Sequence, residues 1–183
     1  MELETKNLIL RSWQESDAES LYKYAQNPNI GPIAGWQPHT SIENSREIIK
    51  NVLSVDETYA VVLKQTGEAV GSIGLMTSKS EINSAEMTED ECEIGYWIGE
   101  PFWGQGLIPE AICELLRHAF EDLGLTAVWC GYFDGNEKSK RAQEKCGFVY
   151  HHTEYNKRVT LLNEFRTEHF TKISYENWKN ASR

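Results

Sequence analysis

The chain has 183 residues, 40% of them hydrophobic and 11% aromatic, which suits one packed core, so we expect a single domain over residues 1–183. Its 28 acidic and 18 basic residues give a formal net charge of -10, which repels a nucleic-acid backbone and argues against direct nucleic-acid binding. No apolar run approaches the roughly 20 residues of a membrane span, and the first residues lack a secretion-signal pattern, so we expect a cytoplasmic protein without a membrane contact.

The first quarter of the chain predicts a strand and two helices. Apolar residues alternate with polar ones near Leu8, and Ser16 is the expected cap of a helix that follows. A loop rich in Gly and Pro then holds Trp36 and His39. Ser41 is the expected start of the second helix.

A β-hairpin is predicted next. Residues 58–64 and 69–76 are rich in Val, Ile and Tyr, and the turn signal Thr66-Gly67-Glu68 separates them. Residues 78–90 are polar and acidic and are expected to form a surface connection. Residues 92–99 return to a strand pattern.

The second half predicts alternating helices and strands. A helix that starts near Pro109 carries an apolar stripe made of Ala111, Ile112, Leu115, Leu116, Ala119 and Phe120. A strand over 126–133, a helix over 136–145 and final strands over 148–151 and 161–173 follow. The order indicates an α+β fold in which strands outnumber helices.

Cysteines and histidines show no spacing typical of a metal site or a redox pair. The residues in question are Cys92, Cys113, Cys130, Cys146, His39, His118, His151, His152 and His169. We therefore expect structural side chains and no metal.

The most informative segment is a strand followed by a glycine loop and a helix start. Gly104 and Gly106 let the backbone approach an anion, and the first N–H groups of the helix point towards it. Two glycines alone also suit any tight turn. The absence of Gly-Lys-Ser/Thr disfavours a nucleotide P-loop, and no third glycine stands at dinucleotide-fold spacing.

In order along the chain, several motifs resemble the GNAT superfamily of N-acetyltransferases, especially its branch of ribosomal-protein N-terminal acetyltransferases. They are Glu93-Ile94-Gly95-Tyr96-Trp97, the loop from Trp103 to Ile108 with Glu110-Ala111, Asn136 with Ser139, and Glu144-Lys145-Cys146-Gly147-Phe148. The resemblance implies one domain with a central, mostly antiparallel, splayed mixed β-sheet flanked by helices. It also implies an acyltransferase that moves acetyl from acetyl-coenzyme A to a primary amine.

The resemblance implies which residues bind the cofactor. The strand that ends at Trp97 and Ile98 would bind the pantetheine arm, as would Asn136, whose position also suits a helix N-cap. The pyrophosphate would bind the loop formed by Trp103, Gly104, Gln105, Gly106, Leu107 and Ile108. Ile108 stands where many members have Gly or Ala, and its branched side chain is expected near the phosphate.

Two catalytic roles are implied in the same way. Glu93 would take the amine's proton, directly or through water, although a salt-bridged strand glutamate fits its position equally well. Ser139 would hydrogen-bond the departing thiolate. Other branches use a tyrosine as general acid where this chain has Gln143, which cannot supply that proton.

The acceptor site is assigned to Trp36 and His39 on one side and Tyr155 on the other, because the family builds its groove from the corresponding segments. The first hypothesis is a protein or peptide α-amino group. A small amine such as a polyamine, amino acid or aminoglycoside is the alternative, and a coenzyme-binding sensor without turnover is a third possibility. Either a monomer or a homodimer is compatible with the sequence.

Overall fold

The computed structural model describes residues 2–77, 84 and 86–181. Its strands are β1 (Glu2–Glu4), β2 (Leu8–Arg11), β3 (Thr58–Leu63), β4 (Ala69–Met76), β5 (Glu91–Ile98), β6 (Ala127–Phe133), β7 (Val149–Val159) and β8 (Glu164–Ser174). Its helices are α1 (Ala18–Ala25), α2 (Gly31–Ala34), α3 (Ile42–Ile48), α4 (Leu107–Arg117), α5 (Glu137–Lys145) and α6 (Tyr175–Ala181). Within these described ranges, no helix has the length and apolar character needed to cross a membrane.

The strands form one mixed sheet in the order β1-β2-β3-β4-β5-β6-β8-β7. Strands β5 and β6 run parallel, whereas β1–β2, β2–β3, β3–β4, β6–β8 and β7–β8 are antiparallel. The predicted α+β class with a mostly antiparallel mixed sheet is therefore confirmed.

Pairing between β5 and β6 is short. The register runs from Glu91 opposite Ala127 to Glu93 opposite Trp129. Strand β6 continues beyond this point to Phe133 while it pairs with β8. The predicted splay thus begins where Glu93 lies, at the last register pair of the parallel strands.

Two compact units divide the chain, and the first contains Met1–Gly74 and Tyr96–Glu114. Its core forms where the apolar face of α1 packs with Trp13 and the inward residues of β3 and β4. Ser16 is exposed and does not cap α1 as predicted. A 3₁₀ turn over Glu15–Asp17 precedes the helix, and Asp17 accepts a hydrogen bond from Gln14 N at 2.9 Å.

The predicted loop before His39 contains the short helix α2. Pro32 occupies the first turn of this helix, where its missing N–H removes no helical hydrogen bond. Gly35 ends it with φ 94°. The prediction of an irregular segment was wrong here because Gly and Pro at a helix's two ends resemble a loop composition.

Ser41 does cap α3, and its hydroxyl accepts from Asn44 N at 3.0 Å. The β3–β4 hairpin and its glycine turn are confirmed as well. Helix α4 buries the predicted stripe, since Ala111, Ile112, Leu115 and Leu116 are at most 1% exposed.

The second unit contains Leu75–Gly95 and Leu115–Arg183, and one of its core clusters consists of Met87, Trp129 and Phe170. Met87 and Ser84 are buried, so the predicted surface connection is wrong at these two positions. Residues 78–83 and 85 of that connection lie outside the described residues.

Strand β7 is longer than the predicted 148–151, β8 is slightly shorter than the predicted 161–173, and α6 was not predicted. Strand β7 carries polar residues on both faces, which hides the alternation that predicts strands. In α6, Tyr175 and Trp178 pack against Phe120 with ring centroids 5.8 and 5.3 Å away. This packing is a tertiary contact that the local sequence does not signal.

Candidate functional site

The glycine loop lies in the first unit, between β5 and α4. The indole Nε1 of Trp103 donates to the carbonyl of Ile98 at 2.9 Å and fixes the start of the loop. Gly104 and Gly106 have φ of +76° and +79°, and a Cβ added at either would meet no atom within 4 Å. Both positions therefore use glycine for its backbone conformation, and the space beside them is open.

The first turn of α4 supplies the N–H groups. Its first full hydrogen bond runs from Glu110 N to Gly106 O at 3.1 Å, so the earlier amides lack helical partners. Leu107 and Ile108 are each 8% exposed. The side chain of Ile108 packs in the core while its backbone lies at the loop, and the expectation that this side chain lies near a bound phosphate stays a prediction.

Glu110 anchors this helix end, a role that the sequence did not reveal. Its carboxylate accepts from Asn7 N at 2.7 Å, from Asn7 Nδ2 at 2.8 Å and from the Thr5 hydroxyl. Burial raises the pKa of Glu110, but these hydrogen bonds outweigh it and hold the pKa below its ordinary value. The orientation of the α4 N-terminus is thus tied to the β1–β2 turn.

Trp97 is brought together with two predicted acceptor residues. Its ring lies 5.6 Å from that of Trp36, which in turn lies 5.4 Å from the ring of His39. His39 is buried, its Nδ1 lies 2.8 Å from Ser45 Oγ, and burial lowers its pKa. The three rings form a packed aromatic group against the core of the first unit.

In the second unit, Glu91 and Glu93 share one face of β5 and are both buried. Glu91 accepts from Trp129 Nε1 and from Lys172 Nζ, each at 2.6 Å. Burial raises the pKa of Glu91, but the hydrogen bonds of Lys172 and Trp129 outweigh it, and the pKa is lowered. Of the two carboxylates, Glu91 has a structural ion pair.

Glu93 has a different environment. Its Oε2 accepts from the backbone N–H of Ser84 at 3.0 Å, and its side chain is 5% exposed. It lies at the last register pair between β5 and β6, where the two parallel strands stop pairing. Glu93 is therefore a buried carboxylate at the point where the parallel pairing ends.

Asn136 and Ser139 are brought together at the start of α5. Asn136 is the N-cap, and its Oδ1 accepts from Ser139 N at 3.2 Å, which confirms the capping prediction. Ser139 Oγ accepts from Gln143 Nε2 at 3.0 Å. Because the serine oxygen is the acceptor in this bond, its own proton is directed away from Gln143.

Gln143 also has a role that the sequence analysis missed. It is fully buried, Nε2 also donates to Gly131 O at 3.2 Å, and Oε1 accepts from Thr171 Oγ1 at 2.8 Å. These bonds hold the side chain that orients Ser139. Its spacing of four residues from Ser139 on one helix was the available signal.

Tyr155 lies on β7 and is 78% exposed. The β7–β8 register shifts between Glu154 and Lys157, and Asn156 has φ 55°, so the tyrosine sits in an irregular part of the strand. Glu93, the Asn136–Ser139 pair and Tyr155 thus occupy three different elements of the second unit.

Two of the histidines lie close together beside a carboxylate, and the expectation of no metal stays a prediction. His151 and His152 form a group with Glu86 in which one donor atom from each residue lies within 4.8 Å of the others. The spacing along the chain did not signal this because Glu86 is remote in sequence.

Two known proteins are similar to this chain over most of its length. A curated relative named uncharacterized N-acetyltransferase p20, from Bacillus licheniformis, is 28% identical over 131 residues, which are 69% of this chain and 70% of the relative. A solved acetyltransferase (GNAT family) from Bacillus anthracis superposes with a TM-score of 0.82 at 20% identity, covering 96% of this chain and 99% of that one.

Two further solved structures share the fold. The ribosomal-protein-S5-alanine acetyltransferase from Vibrio fischeri has a TM-score of 0.72 at 18% identity and covers 97% of this chain and 98% of its own. The structure of AAC(6')-Ib in complex with ribostamycin and coenzyme A has a TM-score of 0.75 at 16% identity, covering 97% and 99%. A family model described as "Acetyltransferase (GNAT) domain" matches residues 7–149, and the chain therefore belongs to the GNAT family and is an N-acetyltransferase.

Proposed function

We propose that this chain acetylates the α-amino group at the N-terminus of a protein or peptide, with acetyl-coenzyme A as donor, in the cytoplasm. The observation that carries the proposal is the glycine loop, where two left-handed glycines open the N-terminus of α4. A structural neighbour is named a ribosomal-protein-S5-alanine acetyltransferase, which favours an α-amino acceptor among the possible amines.

The loop suits the diphosphate of coenzyme A. The backbone at Gly104 and Gly106 is open to a ligand, and the α4 amides that precede Glu110, among them that of Ile108, lie outside the helical hydrogen-bond ladder and are donors for an anion. Along β5, Trp97 and Ile98 offer backbone groups to the amide-bearing pantetheine arm. When bound, acetyl-coenzyme A supplies an activated thioester.

Glu93 is the proposed general base. The amine must lose a proton as its nitrogen bonds to the acetyl carbon and the carbon–sulfur bond breaks. The buried carboxylate, with one oxygen held by Ser84 N, takes this proton directly or through one water. Its position at the last β5–β6 register pair supports the assignment.

Ser139 is the proposed donor to the departing thiolate. Gln143 Nε2 occupies an acceptor site on Ser139 Oγ at 3.0 Å and directs the hydroxyl proton elsewhere. Asn136 holds the backbone of Ser139 through the helix cap and is the proposed contact for the pantetheine region. A hydrogen bond of this kind stabilises sulfur charge without a tyrosine acid.

Trp36 and His39 in the first unit are proposed to bind the acceptor, and Tyr155 on β7 in the second unit is proposed separately as an acceptor contact. The packed ring of Trp36 offers an aromatic face for an ammonium group before deprotonation. A net charge of -10 attracts cationic acceptors. Tyr155, at 78% exposure, is available to a ligand of peptide size.

A small-amine acceptor is the second candidate, and the neighbour bound to ribostamycin and coenzyme A favours it. A third candidate is a coenzyme-binding sensor without turnover, because Gln143 stands where other branches have a tyrosine that acts as general acid. Turnover on peptides or on small amines distinguishes the first two candidates from each other. Any turnover distinguishes both from a sensor.

Calorimetric titration with acetyl-coenzyme A, followed by thiol release against peptides and small amines, tests the proposal. Binding with turnover on peptides whose N-terminus is free, and none on N-terminally blocked copies, is the expected result. Turnover confined to small amines would overturn the acceptor, and binding without turnover in either panel would favour the sensor. Absence of binding would overturn the assignment of the Trp103–Ile108 loop.

A further inference from the structure

Two adjacent histidines on β7 direct equivalent atoms towards one another. The Nδ1 atoms of His151 and His152 are 3.0 Å apart, and His151 Nδ1 is 3.7 Å from Oε2 of Glu86. All three residues belong to the second unit and are at least partly exposed. Neither the proposed acetyl transfer nor the core packing requires this convergence.

A β-bulge explains why neighbouring side chains meet. Consecutive residues of a regular strand point to opposite faces. Here Tyr150 pairs with Thr171 and His152 pairs with Phe170, so His151 is an additional residue in β7. The bulge turns the two imidazoles towards one side, an arrangement that regular strand geometry forbids.

The spacing of the donors fits a tetrahedral ion. Bonds of about 2.0–2.1 Å to imidazole nitrogen and carboxylate oxygen place tetrahedral ligands about 3.4 Å apart. Two of the three donor separations, 3.0 and 3.7 Å, bracket that value, and one donor atom from each residue lies within 4.8 Å of the others. Without an ion, one proton must lie between the two Nδ1 atoms, and an ion would take its place.

The histidine rings are held from behind. His152 Nε2 lies 3.3 Å from Oε1 of Glu154, which favours a proton on Nε2. The lone pair of Nδ1 is then available to coordinate an ion. The His152 ring stacks on Phe170 with centroids 5.1 Å apart, and His151 meets Trp129 edge-on at 4.7 Å. Both aromatic partners are buried, so they restrict the imidazole positions.

We propose that His151, His152 and Glu86 bind a divalent ion of the zinc type, with water in the remaining position. Two imidazoles and one carboxylate suit Zn²⁺, Co²⁺ or Ni²⁺ better than Mg²⁺ or Ca²⁺, which prefer oxygen ligands. The ion would join Glu86, which precedes β5, to the bulge of β7. It would therefore stabilise the folded protein, since the unfolded chain does not preform the site.

The test is calorimetric titration of the full chain, freed of metal by a chelator, with Zn²⁺, and a parallel titration with Co²⁺ followed by visible absorption. One ion per chain and a rise in the melting temperature with Zn²⁺ are expected. Co²⁺ should give the spectrum of a tetrahedral nitrogen and oxygen site without a thiolate charge-transfer band.

Variants locate the ion. His151→Gln and His152→Gln should each weaken Zn²⁺ binding about tenfold or more, and Glu154→Gln should weaken it about tenfold through the ring that it orients. His169→Gln is the matched control, because this histidine lies on β8 outside the three-residue group, and it should bind as the original chain does.

No Zn²⁺ binding by the original chain would overturn the proposal. So would binding that both histidine substitutions leave unchanged, or a Co²⁺ thiolate band that Cys113→Ser removes, since Cys113 is exposed. A fold check by circular dichroism accompanies each variant, and Glu86→Gln provides a second ligand removal at an exposed position that should not affect folding.

Discussion

Replacing Gly106 with alanine isolates the conformation of the anion loop. The added Cβ meets no atom within 4 Å, so the whole structural cost comes from φ +79°. A left-handed conformation costs an L-residue about 1–2 kcal/mol, and the stiffer unfolded chain offsets about 0.4–1 kcal/mol of it. Gly106→Ala should therefore lose about 1 kcal/mol of unfolding free energy, measured by urea denaturation.

The consequence for acetyl-coenzyme A should be larger than for stability alone. If the loop relaxes to relieve the strain, one N–H···phosphate bond misaligns, and a bond to a charged group is worth about 1.5–3 kcal/mol. Calorimetry should show the Kd rising about tenfold or more. Because Gly106 lies in the Trp103–Ile108 loop, the substitution changes the backbone conformation of that loop.

Gly67→Ala is the matched control for this experiment. Gly67 has φ +72°, its Cβ would also meet nothing within 4 Å, and it lies in the β3–β4 turn. It should lose the same stability and bind acetyl-coenzyme A unchanged. Equal affinities for Gly106→Ala, Gly67→Ala and the original chain would refute the loop assignment, and a matching loss in both would show that general destabilisation weakens binding.

Three further outcomes follow. Glu93→Gln should abolish most turnover with acetyl-coenzyme A affinity retained, and full activity would contradict its role as base. Glu91→Gln should keep kcat but lose about 2 kcal/mol of unfolding free energy, because Lys172 loses its charged partner. Since the pKa of Glu91 is lowered from 4.5, its contribution to stability is present above that value and is lost as pH falls through the folded pKa. The difference in urea stability between Glu91→Gln and the original chain should therefore shrink in acid. Gln143→Leu should cost about 2 kcal/mol of unfolding free energy and should also lower kcat, because Ser139 loses the hydrogen bond that orients it. In the Ser139→Ala background the same substitution should leave kcat unchanged, and a further fall there would contradict a positioning role.

Features with short-range causes were predictable. The apolar stripe of α4 follows from residues spaced three and four apart, and the Asn136 and Ser41 caps follow from side chains that bond the backbone three residues on. The hairpin around Gly67 was equally local. The glycine loop was predicted because positive φ restricts the residue type within the loop itself.

Family resemblance extended these predictions to chemistry, and it selected Glu93 and Ser139 before any contact was known. It did not reveal that Glu91, two residues earlier on the same face of the strand, is held in a structural ion pair. The ion pair of Glu91 with Lys172 joins residues far apart in the chain, and only the folded protein reveals it.

Tertiary structure alone decided the rest. The burial of Ile108 and the three bonds of Gln143 depend on which neighbours pack around each helix. The convergence of His151 and His152 depends on a bulge, and a bulge is set by the register between β7 and β8, which the strand sequence does not specify. By itself the sequence determined the local elements and the anion loop, because backbone conformation restricts residues a few positions apart; the partners of each buried polar group were decided by residues brought together from distant parts of the chain.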